Sequence, residues 1–347
     1  MIKVYTKIIC KFYFAATLVL ACASAFAGEK EARAFLEEAN SLYKAGNFEA
    51  SLASYNKALA AGGGKAVIYF NMANCNYQLK KPWDAIKYFL RVTKIAPDFP
   101  TAYLNCAKVY MEAKEYTAAV SLLEQLLRRE PNNSEAMLIL GSCYCDMDML
   151  SQGIRMLDQC LAISPENLNA HILLAEAYVK LGDANEASRI MEKALALHPE
   201  SNLAMRFASD IYMAQGKYAE AISLCESLVS GNPNEADSYY RLAECYNAGG
   251  QPFCAADVLK ALINKKPAET SAYFYLADIY SRLEFYDDAA NTLLAAAKLD
   301  AGRARIPLYN LAAALYNNGK DEKIQALRKK ASQINVELAA MLNDMLR

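Results

Sequence analysis

The chain has 347 residues, of which 54% are apolar and 22% are charged, and its formal net charge is −1 at pH 7. Without residues 1–27, which carry three lysines and no acid, it has 34 basic and 38 acidic side chains, a net charge of −4. This balance excludes a broadly basic surface of the kind that binds nucleic acid.

The first 27 residues have the pattern of a secretory signal peptide. Three lysines, an apolar run and a small-x-small cleavage site follow one another: Lys3, Lys7 and Lys11, then residues 12–26 with Ala25-Phe26-Ala27 before Gly28. The run is shorter than the about 20 apolar residues of a spanning helix, and Glu29 follows it closely. We therefore expect cleavage before Gly28 and an exported mature chain.

Two other fates of this N-terminus stay open. An uncleaved signal would remain as a membrane anchor. Residues 19–22 also resemble a bacterial lipoprotein box, in which Cys22 becomes the lipidated first residue, although Leu20 is unusual at its place. In the rest of the chain charges break every apolar run at helical spacing, so we expect no other membrane span.

A period of 34 residues organises the chain beyond this segment. Six prolines recur at that spacing, each after an apolar stretch and before another helical pattern: Pro97, Pro131, Pro165, Pro199, Pro233 and Pro267. Proline does not continue a helix, so it marks the end of a unit. A fixed period of this length predicts a pair of helices in each unit.

Small side chains recur at two places in each unit, counted from Ala32. The eighth and the twentieth residues are Ala, Gly or Ser in all eight units. Small side chains let helix backbones approach closely, so we expect the two helices of a unit to cross there. Apolar residues at the twenty-fourth place, and Tyr at the eleventh place of the third to eighth units, fill the space between successive pairs.

These residues resemble the tetratricopeptide repeat family. Its pattern also has Gly at the fifteenth place, an aromatic residue at the seventeenth and Pro at the thirty-second, although Lys80, Lys114, Asp148 and Glu284 replace the turn glycine here. The resemblance implies an all-α, right-handed superhelical solenoid of 34-residue helix-turn-helix repeats. Within residues 28–303 it gives eight units: 32–65, 66–99, 100–133, 134–167, 168–201, 202–235, 236–269 and 270–303.

The C-terminal part departs from the regular pattern. Residues 304–332 read as a degenerate ninth repeat, shifted by one residue, with its helical pattern from Ile306 and Gly319 at its turn. Residues 333–347 read as a capping helix, because the last pair of a solenoid needs a cover with a polar outer face.

Eight cysteines follow Ala27, and two states stay open for them. An even number in an exported protein is typical of disulfides. Cys160 and Cys225, however, occupy places where other units have Ala, Leu or Met, so cysteine there acts as a small hydrophobe. We expect mostly free, buried thiols, and the best candidate pair is Cys75 with Cys106, on equivalent first helices of adjacent units.

The sequence holds no pattern that supports catalysis. Its two histidines, His171 and His198, have no metal-ligand companion three or four residues away. The Gly-rich run at residues 62–65 has neither the preceding strand nor the earlier glycine of a phosphate-binding loop. We expect no enzyme activity, no cofactor and no bound metal.

The resemblance places the binding residues on the first helix of each pair, which lines the concave face in this family. The ninth residues change from neutral to acidic along the chain: Asn40, Asn74, Lys108, Ser142, Glu176, Asp210, Glu244 and Asp278. Asn71 and Asn105 at the sixth place, with Tyr240 and Phe274 at the fifth, complete the candidate groove.

These residues predict a groove that holds a protein or an extended peptide. Asparagine offers a donor and an acceptor to a peptide backbone, and the acids favour a segment that bears Lys or Arg. The alternative is a generic solvated inner face. The family's clamp for chaperone tails is excluded, because Leu36, Thr101 and Asn105 replace the cations that would hold a terminal carboxylate.

Three settings fit such a scaffold. Resemblance to exported bacterial repeat proteins implies the periplasm or the outer membrane of a diderm bacterium. One alternative is an outer-membrane lipoprotein co-scaffold of an envelope assembly or secretion machine, such as polysaccharide export, pilus or outer-membrane assembly. The other is a regulatory or glycan-associated subunit of an enzyme on another chain.

Overall fold

The computed structural model describes residues 29–344, and its regular secondary structure in that range is α-helical. The predicted signal peptide, Cys22 and the last three residues of the predicted capping segment lie outside this range. The chain divides into two compact units, an N-terminal unit that ends at Leu181 and a C-terminal unit that starts at Gly182. Among the described helices, none combines the length and the apolar character that crossing a bilayer requires.

Helix pairs follow one another in both units, which confirms the predicted all-α solenoid of helix-turn-helix repeats. The N-terminal unit contains α1 (29–44), α2 (Phe48–Ala60), α3 (Lys65–Gln78), α4 (Pro82–Ile95), α5 (Pro100–Glu112), α6 (Tyr116–Arg129), α7 (Ser134–Asp146), α8 (Leu150–Ile163) and α9 (Leu168–Lys180). From α2 to α9, each helix packs against the next one along the chain.

The C-terminal unit continues the same arrangement. It contains α10 (Ala184–Leu197), α11 (Asn202–Ala214), α12 (Tyr218–Gly231), α13 (Ala236–Ala248), α14 (Pro252–Lys265), α15 (Thr270–Arg282), α16 (Tyr286–Leu299), α17 (Ala301–Asn317), α18 (Asp321–Ser332) and α19 (Val336–Asp344). Each helix again packs against the next, and α15 also touches α17. First helices therefore stack on first helices, as a solenoid requires.

The helices of a pair cross where the small residues recur. In the first repeat the Ser51 hydroxyl donates to the Ala39 carbonyl oxygen at 2.8 Å, which joins the twentieth place to the eighth. In the fourth repeat a Cβ added to Gly153 would lie 3.0 Å from the Gly141 carbonyl oxygen and would also clash with Cys145 Sγ. The predicted crossing point is therefore confirmed in these repeats, and it leaves no room for larger side chains.

A residue with left-handed backbone conformation lies between the two helices of each of the first eight repeats. The glycines at the fifteenth place, Gly46, Gly182, Gly216 and Gly250, have φ from +71° to +81°. Lys80, Lys114, Asp148 and Glu284 have φ from +59° to +62° at the same place. A Cβ built on Gly46 meets no atom within 4 Å, so the cost to a non-glycine residue is backbone strain and not crowding.

The ninth helix pair begins earlier than its sequence pattern. Helix α17 starts at Ala301, five residues before Ile306, and it carries Pro307 inside. Ala301 stands where other repeats have their closing proline, and the Asp300 carboxylate accepts a hydrogen bond from the Arg303 backbone N–H at 3.0 Å. The missing proline and this N-cap together let the helix start at once.

The cysteines after Ala27 are unbridged in this structure, and seven of the eight are buried, with Cys254 exposed. The predicted burial is therefore confirmed for most of them. Cys75 and Cys106, the predicted best pair, are both unbridged, and Cys75 Sγ lies 3.5 Å from Ser51 Oγ of α2. Two other thiols approach each other: Cys225 Sγ and Cys245 Sγ are 3.6 Å apart.

At the turns where a non-glycine residue has positive φ, we predict that substitution by glycine increases stability. Replacing Lys80 by Gly should raise the free energy of unfolding by about 0.5–1 kcal/mol, because glycine adopts this φ without strain. The matched control is Lys87→Gly, an exposed position inside α4, which should cost about 1 kcal/mol. Urea denaturation measures both. Equal destabilisation by the two substitutions would contradict the assignment of strain to the turn.

Candidate protein-binding face

The second, sixth and ninth residues of successive first helices lie beside one another. Asn40 Oδ1 is 3.5 Å from Asn71 Nδ2, and Lys108 Nζ is 2.8 Å from Glu135 Oε1. These contacts join the ninth place of one repeat to the sixth or second place of the next. We call the side chains at the second, fifth, sixth and ninth places the first-helix face.

The asparagines of the N-terminal unit are partly committed to one another. Asn40 Oδ1 accepts a hydrogen bond from the Tyr55 hydroxyl at 2.6 Å as well as the contact from Asn71. Asn74 and Asn105 occupy the equivalent places one repeat further on and are half-buried. The Asn40 oxygen thus already has partners within the protein.

Glu176 occupies the least favourable environment of the four predicted ridge acids. It is half-buried, and burial raises the pKa of its carboxyl above the ordinary value. The Lys180 ammonium opposes this rise, and the neighbouring Asp146 carboxylate adds to it. Folding therefore disfavours the charged form of Glu176.

An ion-pair network occupies the first-helix face between the sixth and seventh repeats. Arg206 binds Glu235 and Asp237 with N–O distances of 2.5 and 3.0 Å. Arg241 binds Asp210 at 2.6 Å and Asp237 at 3.1 Å. Asp210 is therefore neutralised by a residue that the sequence analysis missed. Arg241 is the sixth residue of its repeat, and sixth residues lie next to the ninth residues of the preceding repeat. This spacing is the sequence signal that could have predicted its contact with Asp210.

Two aromatic residues of the predicted groove are also engaged within the protein. The Tyr240 hydroxyl donates to Glu269 Oε1 at 3.2 Å, and burial together with this carboxylate raises the pKa of Tyr240 to about 12. The Arg303 guanidinium lies 5.7 Å from the centre of the Phe274 ring and donates to the hydroxyls of Thr270 and Ser271. The Phe274 ring thus already stacks with an internal cation.

The last two acids at the ninth place, Glu244 and Asp278, differ in their ion-pair partners. Asp278 forms an exposed ion pair with Arg282 of the same helix, with an N–O distance of 2.8 Å. Glu244 is exposed and forms no ion pair with any residue in the described range 29–344. Glu244 is therefore the ridge acid whose charge is most available to a ligand.

A hollow of about 360 Å³ opens on this face between α15 and α17. Phe274, Leu293 and Leu311 contribute to its apolar lining, and Asp278 and Asn310 are among its polar residues. It brings two predicted site residues, Phe274 and Asp278, to one cavity. Sequence reasoning missed Asn310, which takes the sixth place of the ninth repeat once the one-residue shift is applied.

No set of three or more His, Cys, Asp or Glu side chains within residues 29–344 is arranged to hold a metal ion. The polar groups of the first-helix face are instead amides, hydroxyls, cations and carboxylates, several of them ion-paired. Their chemistry suits hydrogen bonding to a peptide and contact with a cationic side chain.

The burial of Glu176 predicts a pH-dependent effect on stability. Glu176→Gln should stabilise the protein at neutral pH, because the amide avoids the cost of burying a charge. The raised folded-state pKa means that wild type bears no penalty below the ordinary value of 4.5 and acquires it as the pH rises through the folded-state pKa. The gain in melting temperature should therefore shrink in acid.

Glu244→Gln is the matched control for this measurement. It makes the same chemical change at the same repeat position, but on an exposed side chain. We expect it to change the melting temperature little at either pH. A Glu176→Gln protein that is less stable than wild type at neutral pH would instead show that the Lys180 attraction outweighs burial.

Comparisons with known proteins identify the family and the fold. The tetratricopeptide repeat family matches residues 36–100, 78–143, 110–159, 149–206 and 212–277, which together are more than half of the chain. No curated protein matches the chain in sequence.

Two solved structures are similar in fold. The C-terminal part of a repeat protein from Cytophaga hutchinsonii is 18% identical with a TM-score of 0.54, over 68% of this chain and 97% of that one. A tetratricopeptide repeat protein from Parabacteroides merdae is 15% identical with a TM-score of 0.50, over 73% of this chain and 100% of that one. At this identity the likeness concerns the fold alone. With the matches across its repeats, this chain belongs to the tetratricopeptide repeat family.

Proposed function

We propose that this chain is a non-catalytic scaffold that binds an extended segment of a protein partner along its first-helix face. The hollow between α15 and α17 is the observation that carries the proposal. Its apolar lining includes Phe274, Leu293 and Leu311 and suits an aliphatic or aromatic side chain, and polar groups beside it suit the backbone of the bound segment.

The charges near the hollow favour a basic partner. Glu244 lies on α13, the first helix of the preceding repeat, at the same repeat position as Asp278 on α15, so the two acids continue one line of the first-helix face. Glu244 has no ion-pair partner in the described range, and Asp278 is held only by the exposed Arg282. We therefore propose a segment that carries Lys or Arg next to an apolar residue.

The same reasoning selects two of the four acids at the ninth place as candidates for ligand binding. Asp210 belongs to the network with Arg241, and Glu176 is half-buried beside Lys180. Neutralising these two acids would change the stability of the fold or the contacts between repeats as well as ligand binding. Glu244 and Asp278 are thus the pair that tests recognition with the least effect on the fold.

The test uses a library of random extended peptides selected on the immobilised protein. We expect enrichment of peptides with Lys or Arg beside an aliphatic or aromatic residue. The double variant Glu244→Gln/Asp278→Asn should bind a selected peptide about three- to tenfold more weakly, because each exposed charge pair contributes up to about 1 kcal/mol. The loss should be larger at low salt, where exposed charges are less screened.

The matched control is Asp257→Asn/Asp288→Asn, which makes the same change in net charge on the second helices α14 and α16. This control should bind as wild type does. If both double variants bind the peptide equally weakly, the loss of affinity results from the change in net charge and not from the position of the acids. Unchanged affinity of the Glu244→Gln/Asp278→Asn variant at both salt concentrations would contradict the proposed mode of recognition.

We propose in addition that the chain is exported to the periplasm and works there or at the outer membrane. The N-terminal lysines, apolar run and cleavage pattern support this proposal. After expression in a diderm bacterium, intact mass should show a chain that begins at Gly28 in the periplasmic fraction. A lipid on Cys22 would establish the lipoprotein form instead, and a retained Met1 in the membrane fraction would establish an anchor. An unprocessed chain in the cytoplasm would contradict export.

A further inference from the structure

Two buried thiols meet at the contact between the sixth and seventh repeats. Cys225 of α12 and Cys245 of α13 have their Sγ atoms 3.6 Å apart, and both side chains are almost fully buried. The two helices pack against each other directly. The packing of α13 on α12 thus places two cysteines side by side that are 20 residues apart in sequence.

The surroundings of this pair distinguish its two sulfurs. The hydrogen bond with Cys245 holds the pKa of Cys225 below its ordinary value despite burial, and the Ser209 hydroxyl and the Arg241 guanidinium act in the same direction. The same hydrogen bond and burial raise the pKa of Cys245. Cys225 is therefore the member whose thiolate is better stabilised, which makes it the nucleophile of the pair.

For two of the other buried cysteines, Cys106 and Cys143, burial is the main influence on the thiol. Burial raises the pKa of Cys106 and of Cys143 to about 12, which is the behaviour of inert thiols that only fill space. Neither residue lies near a group that would stabilise a thiolate as Arg241 does for Cys225. Cys225 thus differs chemically from Cys106 and Cys143, although its place in the repeat alone predicts a small hydrophobe.

We propose that Cys225 and Cys245 are a disulfide site that joins the sixth repeat covalently to the seventh when a small disulfide such as oxidised glutathione is the oxidant. The inference rests on the distance, the burial and the packing of α12 on α13. It does not depend on the peptide-binding proposal or on export.

The reaction proceeds by two thiol–disulfide exchanges. The Cys225 thiolate attacks one glutathione sulfur, which forms a mixed disulfide and releases one glutathione thiolate. Cys245 then loses its proton and attacks Cys225 Sγ, which closes the protein disulfide and releases the second glutathione. The protein loses two hydrogen atoms, and one oxidised glutathione becomes two reduced ones.

The geometry requires only a local rearrangement. The sulfurs must approach from 3.6 Å to a bond length of about 2.05 Å, and they already face each other across the helix contact. Because both sulfurs are buried, we expect the bond to form while the chain folds or when α12 and α13 separate transiently. Arg241 lies on α13 one turn before Cys245. A disulfide at Cys245 would therefore also restrict the movement of the helix that carries Arg241, the partner of Asp210.

The experiment refolds residues 28–347 from denaturant with either oxidised or reduced glutathione, traps free thiols by alkylation in acid denaturant, and maps peptides by mass spectrometry. We expect a Cys225–Cys245 linked peptide, and an intact mass before alkylation that is lower by about 2 Da, only in the oxidised sample. The six other cysteines should be alkylated in both samples and serve as internal controls. The oxidised form should melt about 2–5 °C higher, and reductant should abolish the difference.

A Cys245→Ser variant separates the two exchange steps. It should trap glutathione on Cys225 and lose the redox dependence of the melting temperature. The wild-type peptide map stands independently of whether this variant folds well. Wild-type protein with both thiols alkylated after oxidising refolding would overturn the proposal, as would links that join other cysteines or a glutathione adduct that persists on Cys225.

Discussion

The close approach of two helix backbones within each pair is the contact on which the rest of the structure depends. At this crossing the eighth and twentieth residues have space only for small side chains, as the Ser51 hydrogen bond to Ala39 and the tight Gly141–Gly153 contact show. Once the pair is closed, its apolar sides are buried only against the next pair. The polar residues that remain on the first helices then line up from repeat to repeat.

The turn within each pair follows from the same constraint. A short antiparallel connection between two touching helices requires one residue with positive φ, whether glycine stands there or not. Lys80 and Glu284 therefore adopt the same left-handed conformation as Gly46. Lysine and glutamate disfavour this backbone conformation, but tertiary packing imposes it. The free energy gained by burying a whole helix face exceeds the strain energy of a single residue.

Charge on the first-helix face is organised by neighbours in the stack rather than along the chain. Four acids occupy the same repeat position, Glu176 in the N-terminal unit and the other three in the C-terminal unit, and their charges are compensated unevenly. Arg241 and Arg282 each bind one ridge acid, Glu176 is half-buried, and Glu244 keeps its charge exposed. Specific recognition is thus best sought at the end of the face that combines Glu244 with the hollow beside Phe274.

The sequence by itself determined the repeat, the helix pairs, the crossing residues and the turns, because these depend on spacing and on side-chain size within one unit. It also determined which residues share the first-helix face. The tertiary structure decided which partners such residues take, Asp210 with Arg241 and Phe274 with Arg303, and it brought Cys225 next to Cys245. Such pairings join side chains 20 to 31 residues apart, and the direction of each side chain, set by packing between repeats, decides which of several equally spaced candidates meet.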